Sequence, residues 1–184
     1  MSLAHAILGF LHRQPMTGYD LKTQCFDRKI ANFWPADQAQ IYRTLEKLER
    51  EEWVSSTLSF QLERPNRKVY QITEAGREEL AHWLEETVPL PVHREPFLVQ
   101  LYFSDDLCKE QIMAKIAQQK AMHEDQLRAY EAINFPPIEG ALARQLSLAA
   151  MTLHVGKAIE KTYIQCLEEL MAWVHQLESD VDRT

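Results

Sequence analysis

Residues 34–80 read WPADQAQIYRTLEKLEREEWVSSTLSFQLERPNRKVYQITEAGREEL. Along this stretch a helical spacing of apolar residues gives way to alternation, then to a basic turn, then to alternation again, and finally to a second helical pattern. This order of helix, strand, basic turn, strand and helix predicts a winged helix-turn-helix, in which one helix enters the major groove of DNA and the hairpin contacts phosphates.

The helix of this stretch, the third in the chain, has two chemically different faces. Asp37 and Gln40 have the spacing of a capping box, which predicts where the helix begins. Its apolar face is predicted to pack on the core, whereas its other face is polar. The apolar residues are Ile41, Leu45 and Leu48, and the polar ones are Gln38, Arg43, Glu46, Lys47 and Arg50.

The two strands alternate in the same way, so each is expected to bury one face. Val54, Leu58, Phe60 and Leu62 share one face of the first strand, and Tyr70 and Ile72 share one face of the second. The residues between the strands are rich in turn formers. The turn and the strand that follows it supply the cations of the wing, which are Arg64, Arg67 and Lys68.

The flanking segments complete a small domain. An apolar helix is predicted from Ala4 to His12, and Thr17 with Asp20 forms a second capping box that begins a helix running to about Ile30. Thr73 is expected to cap a helix that runs to about Thr87. Prolines at positions 89, 91 and 96 then interrupt the chain. We therefore predict a winged-helix domain over residues 1–90 and a second domain over residues 91–184.

The second domain reads as helical throughout, so the chain as a whole is predicted to be mainly α-helical. Helices are expected over residues 97–103, 109–133 and 140–178. The last carries an apolar stripe with steps of three and four residues, which is typical of a coiled-coil seam. We expect this stripe to find its partner in a second copy of the chain, because the domain is small. The predicted dimer interface consists of Leu146, Leu153, Ile159, Tyr163, Leu167, Leu170 and Val174.

Charge and composition narrow the class of protein. The net charge is −7, with 11 Lys/Arg against 13 Asp/Glu in residues 1–91 and 9 against 14 in residues 92–184. A basic wing on an acidic body can engage phosphates while the remaining charge suppresses non-specific binding. No apolar run is long enough to span a bilayer and no signal peptide is indicated, so we expect a cytoplasmic protein without membrane contact. The three cysteines are far apart, which argues against disulfides.

Sequence motifs of catalysis are absent. The chain has no nucleophile elbow, phosphate-binding loop, dinucleotide fingerprint or zinc hydrolase motif. The histidines show no spacing typical of metal ligands. We therefore predict a protein that is not an enzyme and that needs neither a metal nor a cofactor.

Three motifs in order resemble the PadR family of bacterial transcriptional regulators. They are AILGFLHRQPMTGYDL over residues 6–21, FWPADQAQIYRTLEKLEREEWV over residues 33–54 and RPNRKVYQITEAGREEL over residues 64–80. The second half, with EPFLVQLYF at 95–103 and GKAIEKTY at 156–163, resembles the longer subfamily, whose added helical domain forms the dimer. The resemblance implies a homodimeric DNA-binding regulator, usually a repressor, that meets a pseudo-palindromic operator with two recognition helices.

The resemblance also implies which residues contact double-stranded DNA. In the family, contacts come from the third helix and the wing, and Gln, Arg and Lys suit base and phosphate recognition. In this sequence the corresponding residues are Gln38, Gln40, Tyr42, Arg43, Lys47, Arg64, Arg67 and Lys68. One departure concerns the end of the third helix, where family members commonly have glycine and this chain has Glu52. A left-handed backbone at Glu52 would cost about 1–2 kcal/mol.

Some members of the family release DNA when an aromatic acid binds. Tyr19 and Trp34 lie near the expected junction of the two domains, Phe33 is a further aromatic residue beside Trp34, and His154 lies in the middle of the last helix. We take these four residues as candidates for a site for a small aromatic ligand, although each also has a simpler interpretation as a packing residue.

A different class of function is also compatible with the sequence. The acidic total and the run of Glu46, Glu49, Glu51 and Glu52 along and after the third helix favour a winged-helix module that binds protein and not DNA. Replacing Arg67 and Lys68 with alanine discriminates between the two hypotheses. If the protein binds DNA, this change should reduce the salt dependence of binding by about one unit for each phosphate contact that is lost.

Overall fold

The computed structural model describes residues 2–59, 67–92 and 94–181. The chain divides into two compact units, one ending at Leu90 and the other beginning at Pro91. None of the helices in these described ranges is long and apolar enough to cross a membrane.

The first unit combines four helices with a small antiparallel sheet. The sheet has the strand order β1-β3-β2, and Val54 pairs with Ile72 while Ser59 pairs with Arg67. The second helix begins as one α-helical turn and continues as a π-helix. The elements are α1 (Ser2–Arg13), β1 (Met16–Thr17), α2 (Gly18–Asp20, continuing as the π-helix Leu21–Phe26), α3 (Gln38–Arg50), β2 (Val54–Ser59), β3 (Arg67–Ile72) and α4 (Glu74–Glu85).

Two features of this unit differ from the sequence prediction. The predicted two-stranded wing is extended by a third strand, because Met16 pairs with Tyr70. A strand of two residues is too short to show alternation. The second helix ends at Phe26, before the expected Ile30, since its hydrogen bonds widen to a π-helical pattern in which the Asp27 amide donates to the Lys22 carbonyl at 2.9 Å.

The core of the unit lies between α1, α2, α3 and the sheet. Ile41, Leu45 and Leu48 are fully buried, which confirms the predicted apolar face of α3. Leu58 was expected on the buried face of β2 but is 59% exposed. It pairs with Lys68 rather than lying over the core as Val54 does opposite Ile72. Phe60 and Leu62 lie outside the described residues.

Three predicted helix caps are confirmed. The side chains of Thr17 and Asp37 accept from the backbone amides of Asp20 and Gln40, and both capping boxes are complete. Thr73 accepts from the Gly76 amide at 3.1 Å and begins α4. These caps supply partners for backbone amides that a helix leaves unpaired at its start.

The second unit is an antiparallel helix pair with a short helix beside it. Lys120 contacts Glu168 and His123 contacts Glu160, so the two long helices run in opposite directions. The elements are α5 (Pro96–Tyr102), α6 (Lys109–Glu131), a 3₁₀ turn (Gly140–Leu142) and α7 (Ala143–Val181).

The structure buries one part of the apolar stripe of α7 within the chain itself. Leu167 is 3% exposed and forms a core with Phe97 and Ile116, and Leu170 and Val174 pack against that core. Tyr163 stacks on His123 of α6 at a centroid distance of 4.6 Å. These residues of the predicted dimer interface therefore have contacts within their own chain, mainly with α6.

The first half of α7 is less covered. Ile159 is 50% exposed, and Leu146 and Leu153 are half-buried. Gly156 lies against the Tyr130 ring, near the end of α6, so the residues of α7 that precede it extend past that helix. An exposed apolar stripe runs along this part of α7 and consists of Leu148, Met151, Val155 and Ile159.

Candidate nucleic-acid interface

The start of α3 is held against α2 by a close contact between an aromatic ring and a glycine. A Cβ atom placed on Gly18 would lie 2.7 Å from two ring carbons of Tyr42. Gly18 is the first residue after the Thr17 cap, so the capping box and the glycine together set the approach of the two helices. The apolar face of α3 is buried in the core, and its polar face remains exposed.

The exposed face of α3 presents the predicted polar side chains unequally. Gln38 and Arg43 are exposed, and the Arg43 guanidinium makes no ion pair with another described residue. Gln40 is also exposed, but its side-chain oxygen accepts from the Asp37 amide at 3.2 Å and completes the capping box. Lys47 is half-buried and lies 3.5 Å from Glu51. Among the predicted contact residues of α3, Gln38 and Arg43 are thus exposed, whereas Gln40 belongs to the capping box and Lys47 to an ion pair.

Tyr42 has a different position from the other predicted contact residues. Its ring packs on Gly18 and is half-buried. The phenol therefore belongs to the packing of α2 on α3 as well as to the candidate interface.

The wing presents one cation freely and holds another in an ion pair. Arg67, at the start of β3, is exposed and makes no ion pair with a described residue. The Lys68 ammonium donates to the Glu49 carboxylate at 2.6 Å and lies 5.1 Å from the centre of the Tyr70 ring. Arg64, the third predicted cation of the wing, lies outside the described residues.

The sequence prediction missed the role of Glu49. Its second carboxylate oxygen accepts from the Ser56 hydroxyl at 2.5 Å, so one side chain links α3 to both strands of the hairpin. Burial would raise the pKa of Glu49, but the hydrogen bonds from Lys68 and Ser56 outweigh it and lower that pKa from 4.5. The pKa of Lys68 is raised, mainly by its hydrogen bond to Glu49. The contact between Glu49 and Lys68 could not be predicted from the sequence, because the two residues are nineteen positions apart.

The candidate effector residues fall in both units. Tyr19 and Phe33 are more than half exposed and Trp34 is 37% exposed, all in the first unit. His154 is exposed on α7 in the second unit. A surface depression lies in the same part of the first unit, but Tyr19, Phe33 and Trp34 do not line it. Its lining residues are Lys22, Phe26, Asp27, Ala31, Pro35, Ala36 and Asp37. Within the described ranges, no three His, Cys, Asp or Glu side chains converge as a metal site would require.

Two family models match the chain, one in each unit. The Transcriptional regulator PadR-like family matches residues 7–82, and the Virulence activator alpha C-term family matches residues 93–174. An 86-residue stretch is 49% identical to a probable transcriptional regulator of Mycobacterium tuberculosis, covering 47% of this chain and 45% of that protein. The match thus spans less than half the length of that relative.

Similarity to a second relative extends over nearly the whole chain. The negative transcriptional regulator PadR of Bacillus subtilis is 28% identical, with 94% of this chain and 97% of that protein covered. Its crystal structure with operator DNA matches with a TM-score of 0.79 at 26% identity, over 95% of this chain and 99% of that one. Its crystal structure with p-coumaric acid matches with a TM-score of 0.74 at 25% identity, over the same shares.

Proposed function

We propose that this chain is a transcriptional regulator of the PadR-like family, whose model matches residues 7–82, and that it acts as a sequence-specific DNA-binding repressor in the form of a homodimer. A regulator of this family is not in general an enzyme, and we extend that expectation to this chain. We also propose that it acts in the cytoplasm, as expected of a transcriptional regulator.

One observation supports DNA binding more than the others. The α3 helix buries Ile41, Leu45 and Leu48 completely and turns Gln38 and Arg43 outward. The side-chain amide of Gln38 has the donor and acceptor needed for adenine, and Arg43 can contact guanine or a phosphate. Arg67 on the wing adds a phosphate contact of the kind that fixes register on the duplex.

The structure weakens the rival hypothesis of a module that binds only protein. That hypothesis rested on the acidic residues along and after α3. Glu49 is paired with Lys68 and Glu51 with Lys47, so two of these four carboxylates are offset by neighbouring cations. The cations Arg43 and Arg67 remain unpaired within the described residues.

We propose two copies of the chain per operator. The exposed stripe of Leu148, Met151, Val155 and Ile159 is a contiguous apolar surface, with Leu146 and Leu153 beside it on α7. A two-fold dimer through α7 would present two α3 helices, which suits a pseudo-palindromic site.

The relative crystallised with p-coumaric acid supports control by a small aromatic ligand. We propose that such a ligand lowers operator affinity by shifting the population of the protein toward a state that cannot meet both half-sites. Tyr19, Phe33, Trp34 and His154 are the residues we assign to this response. Titration of the DNA complex with p-coumaric acid tests it, and unchanged operator affinity at millimolar ligand would exclude this class of effector.

A mobility shift with the intergenic DNA upstream of the protein's own gene tests the DNA-binding function. We expect a retarded complex that survives a large excess of random duplex, and Arg43→Ala should abolish this preference. Absence of any complex at micromolar protein would favour the protein-binding module instead.

A further inference from the structure

Glu49 joins the recognition helix to the wing through one carboxylate. One oxygen accepts from Lys68 on β3 at 2.6 Å, and the other accepts from Ser56 on β2 at 2.5 Å. The Glu49 side chain is 24% exposed and that of Lys68 is 42% exposed. Both sides of the hairpin are therefore tied to the helix near the start of the wing.

This geometry changes what Lys68 can do. The ammonium is already neutralised by Glu49 and lies over the Tyr70 ring, so a phosphate contact would require it to leave both partners. Arg67, one residue earlier, has no such restraint among the described residues. Adjacent residues of a strand point to opposite faces, which places the two cations in different surroundings.

We propose that Glu49 is a positioning and specificity-determining residue, which fixes the wing against α3 and withholds Lys68 from DNA phosphates. The inference rests on the proposed DNA-binding function. Phosphate contacts are independent of sequence, so each one raises affinity for every duplex. By keeping Lys68 from such a contact, Glu49 lowers random binding and leaves discrimination to Gln38 and Arg43.

Salt dependence distinguishes this role from that of an ordinary structural ion pair. For the full-length protein, log K on random duplex is measured against log salt for wild type, Lys68→Met, Arg67→Met, Glu49→Gln and the Glu49→Gln/Lys68→Met double variant. Each phosphate contact contributes a slope of about 0.9. We expect Lys68→Met to leave the slope unchanged and Arg67→Met to reduce it by about one. Glu49→Gln should steepen it by about one and tighten random binding about fivefold at 0.15 M salt, and the double variant should return to the wild-type slope.

Glu46→Gln is the matched control, since it removes the same charge from the same helix. Glu46 is exposed and contacts neither Lys68 nor Ser56 through a recorded hydrogen bond or ion pair of the described residues. A smaller slope in Lys68→Met, or equal slopes in Glu49→Gln and Glu46→Gln, would overturn the inference while leaving DNA binding intact. If the wild-type protein bound no duplex at all, the proposed function would fail and the inference with it. Unfolding midpoints of every variant separate these results from misfolding.

Discussion

The ring of Tyr42 lies directly against Gly18, so that the first residue of α2 and the second turn of α3 touch with no room for a side chain between them. A Cβ atom on Gly18 would come within 2.7 Å of the ring, closer than carbon atoms approach without displacement. The angle at which α3 is presented thus depends on the absence of one methyl group.

Gly18→Ala should therefore displace the Tyr42 ring and tilt α3. We expect a loss of about 1–3 kcal/mol in the free energy of unfolding, as for other overpacked positions. Operator affinity should fall by more than the stability change explains, because α3 would be misplaced even in the folded protein. Urea unfolding and mobility shifts on the same preparation measure the two effects.

Gly9→Ala is the matched control for this substitution. A Cβ atom on Gly9 meets nothing within 4 Å, and the residue lies inside α1. Alanine should stabilise the helix there by roughly 0.5–1 kcal/mol. Recovery of the free energy of unfolding in Gly18→Ala/Tyr42→Leu would assign the packing defect to the ring, and equal losses at Gly9 and Gly18 would contradict the argument.

The contact between Gly18 and Tyr42 also shows what the sequence could and could not predict. Capping boxes at Thr17 and Asp37 and the apolar face of α3 depend on residues within one or two helical turns, so their spacing revealed them. The packing of Gly18 on Tyr42 and the bonds from Glu49 to the hairpin join residues distant in sequence. Local periodicity carries no information about such pairs.

The apolar stripe of α7 illustrates a second limit. Its spacing correctly predicted a long helix with one apolar side. A stripe does not specify whether its partner helix comes from the same chain or from another, and α6 proved to cover Leu167, Leu170 and Val174. The sequence of α6 is largely polar with a sparse apolar stripe that includes Ile112 and Ile116, and such a stripe does not by itself identify its partner.

Glu52 is expected to be a site where glycine stabilises the protein. Its φ angle is +59°, which is the left-handed backbone conformation that the glycine of family members suggested for this position. The Thr73 hydroxyl donates to the Glu52 carbonyl at 2.7 Å. Since a side chain costs about 1–2 kcal/mol there, Glu52→Gly should raise the free energy of unfolding by about 1 kcal/mol. Thermal and urea unfolding measure the gain.

Glu51→Gly provides the control for Glu52. Glu51 has a φ angle of −84° and lies 3.5 Å from the Lys47 ammonium, so glycine there relieves no strain. We expect this variant to be slightly less stable than wild type. A similar gain at both positions would mean that the backbone conformation of Glu52 is not the cause.

The ion pair between Glu49 and Lys68 should make stability depend on pH in the acid range. The pKa of Glu49 is lowered from 4.5 in the folded protein, because the hydrogen bonds from Lys68 and Ser56 outweigh its burial. A carboxyl with a depressed folded pKa stabilises the fold above its unfolded pKa and loses that effect as the pH falls through the folded pKa.

We therefore expect wild type to exceed Glu49→Gln in stability at pH 7, with the difference shrinking as the pH falls below about 4.5. Lys68 is more than one third exposed, so the difference should not exceed about 1 kcal/mol. Urea unfolding of both proteins between pH 7 and pH 3 tests this. A difference that stayed constant over this range would show that the carboxylate charge of Glu49 contributes nothing to the fold.

The exposed stripe of α7 predicts where two copies of the chain meet. Val155 and Ile159 are 57% and 50% exposed, and they follow Leu148 and Met151 along the same side of the helix. Val155→Glu/Ile159→Glu should leave the α6–α7 pair folded, since neither residue belongs to the core around Leu167. It should dissociate the dimer, because two carboxylates would have to be buried without partners.

Light scattering coupled to size exclusion tests this by comparing the measured mass with the 21.5 kDa of one chain. Wild type should show twice this mass and the double variant the single value. Operator affinity should then fall, because a monomer delivers one recognition helix to the operator instead of two. Lys161→Glu is the control, since it makes the same change of −2 in net charge at an exposed polar position of α7. Retention of the dimer by the double variant would move the interface away from this stripe, toward the half-buried side chains of Leu146 and Leu153.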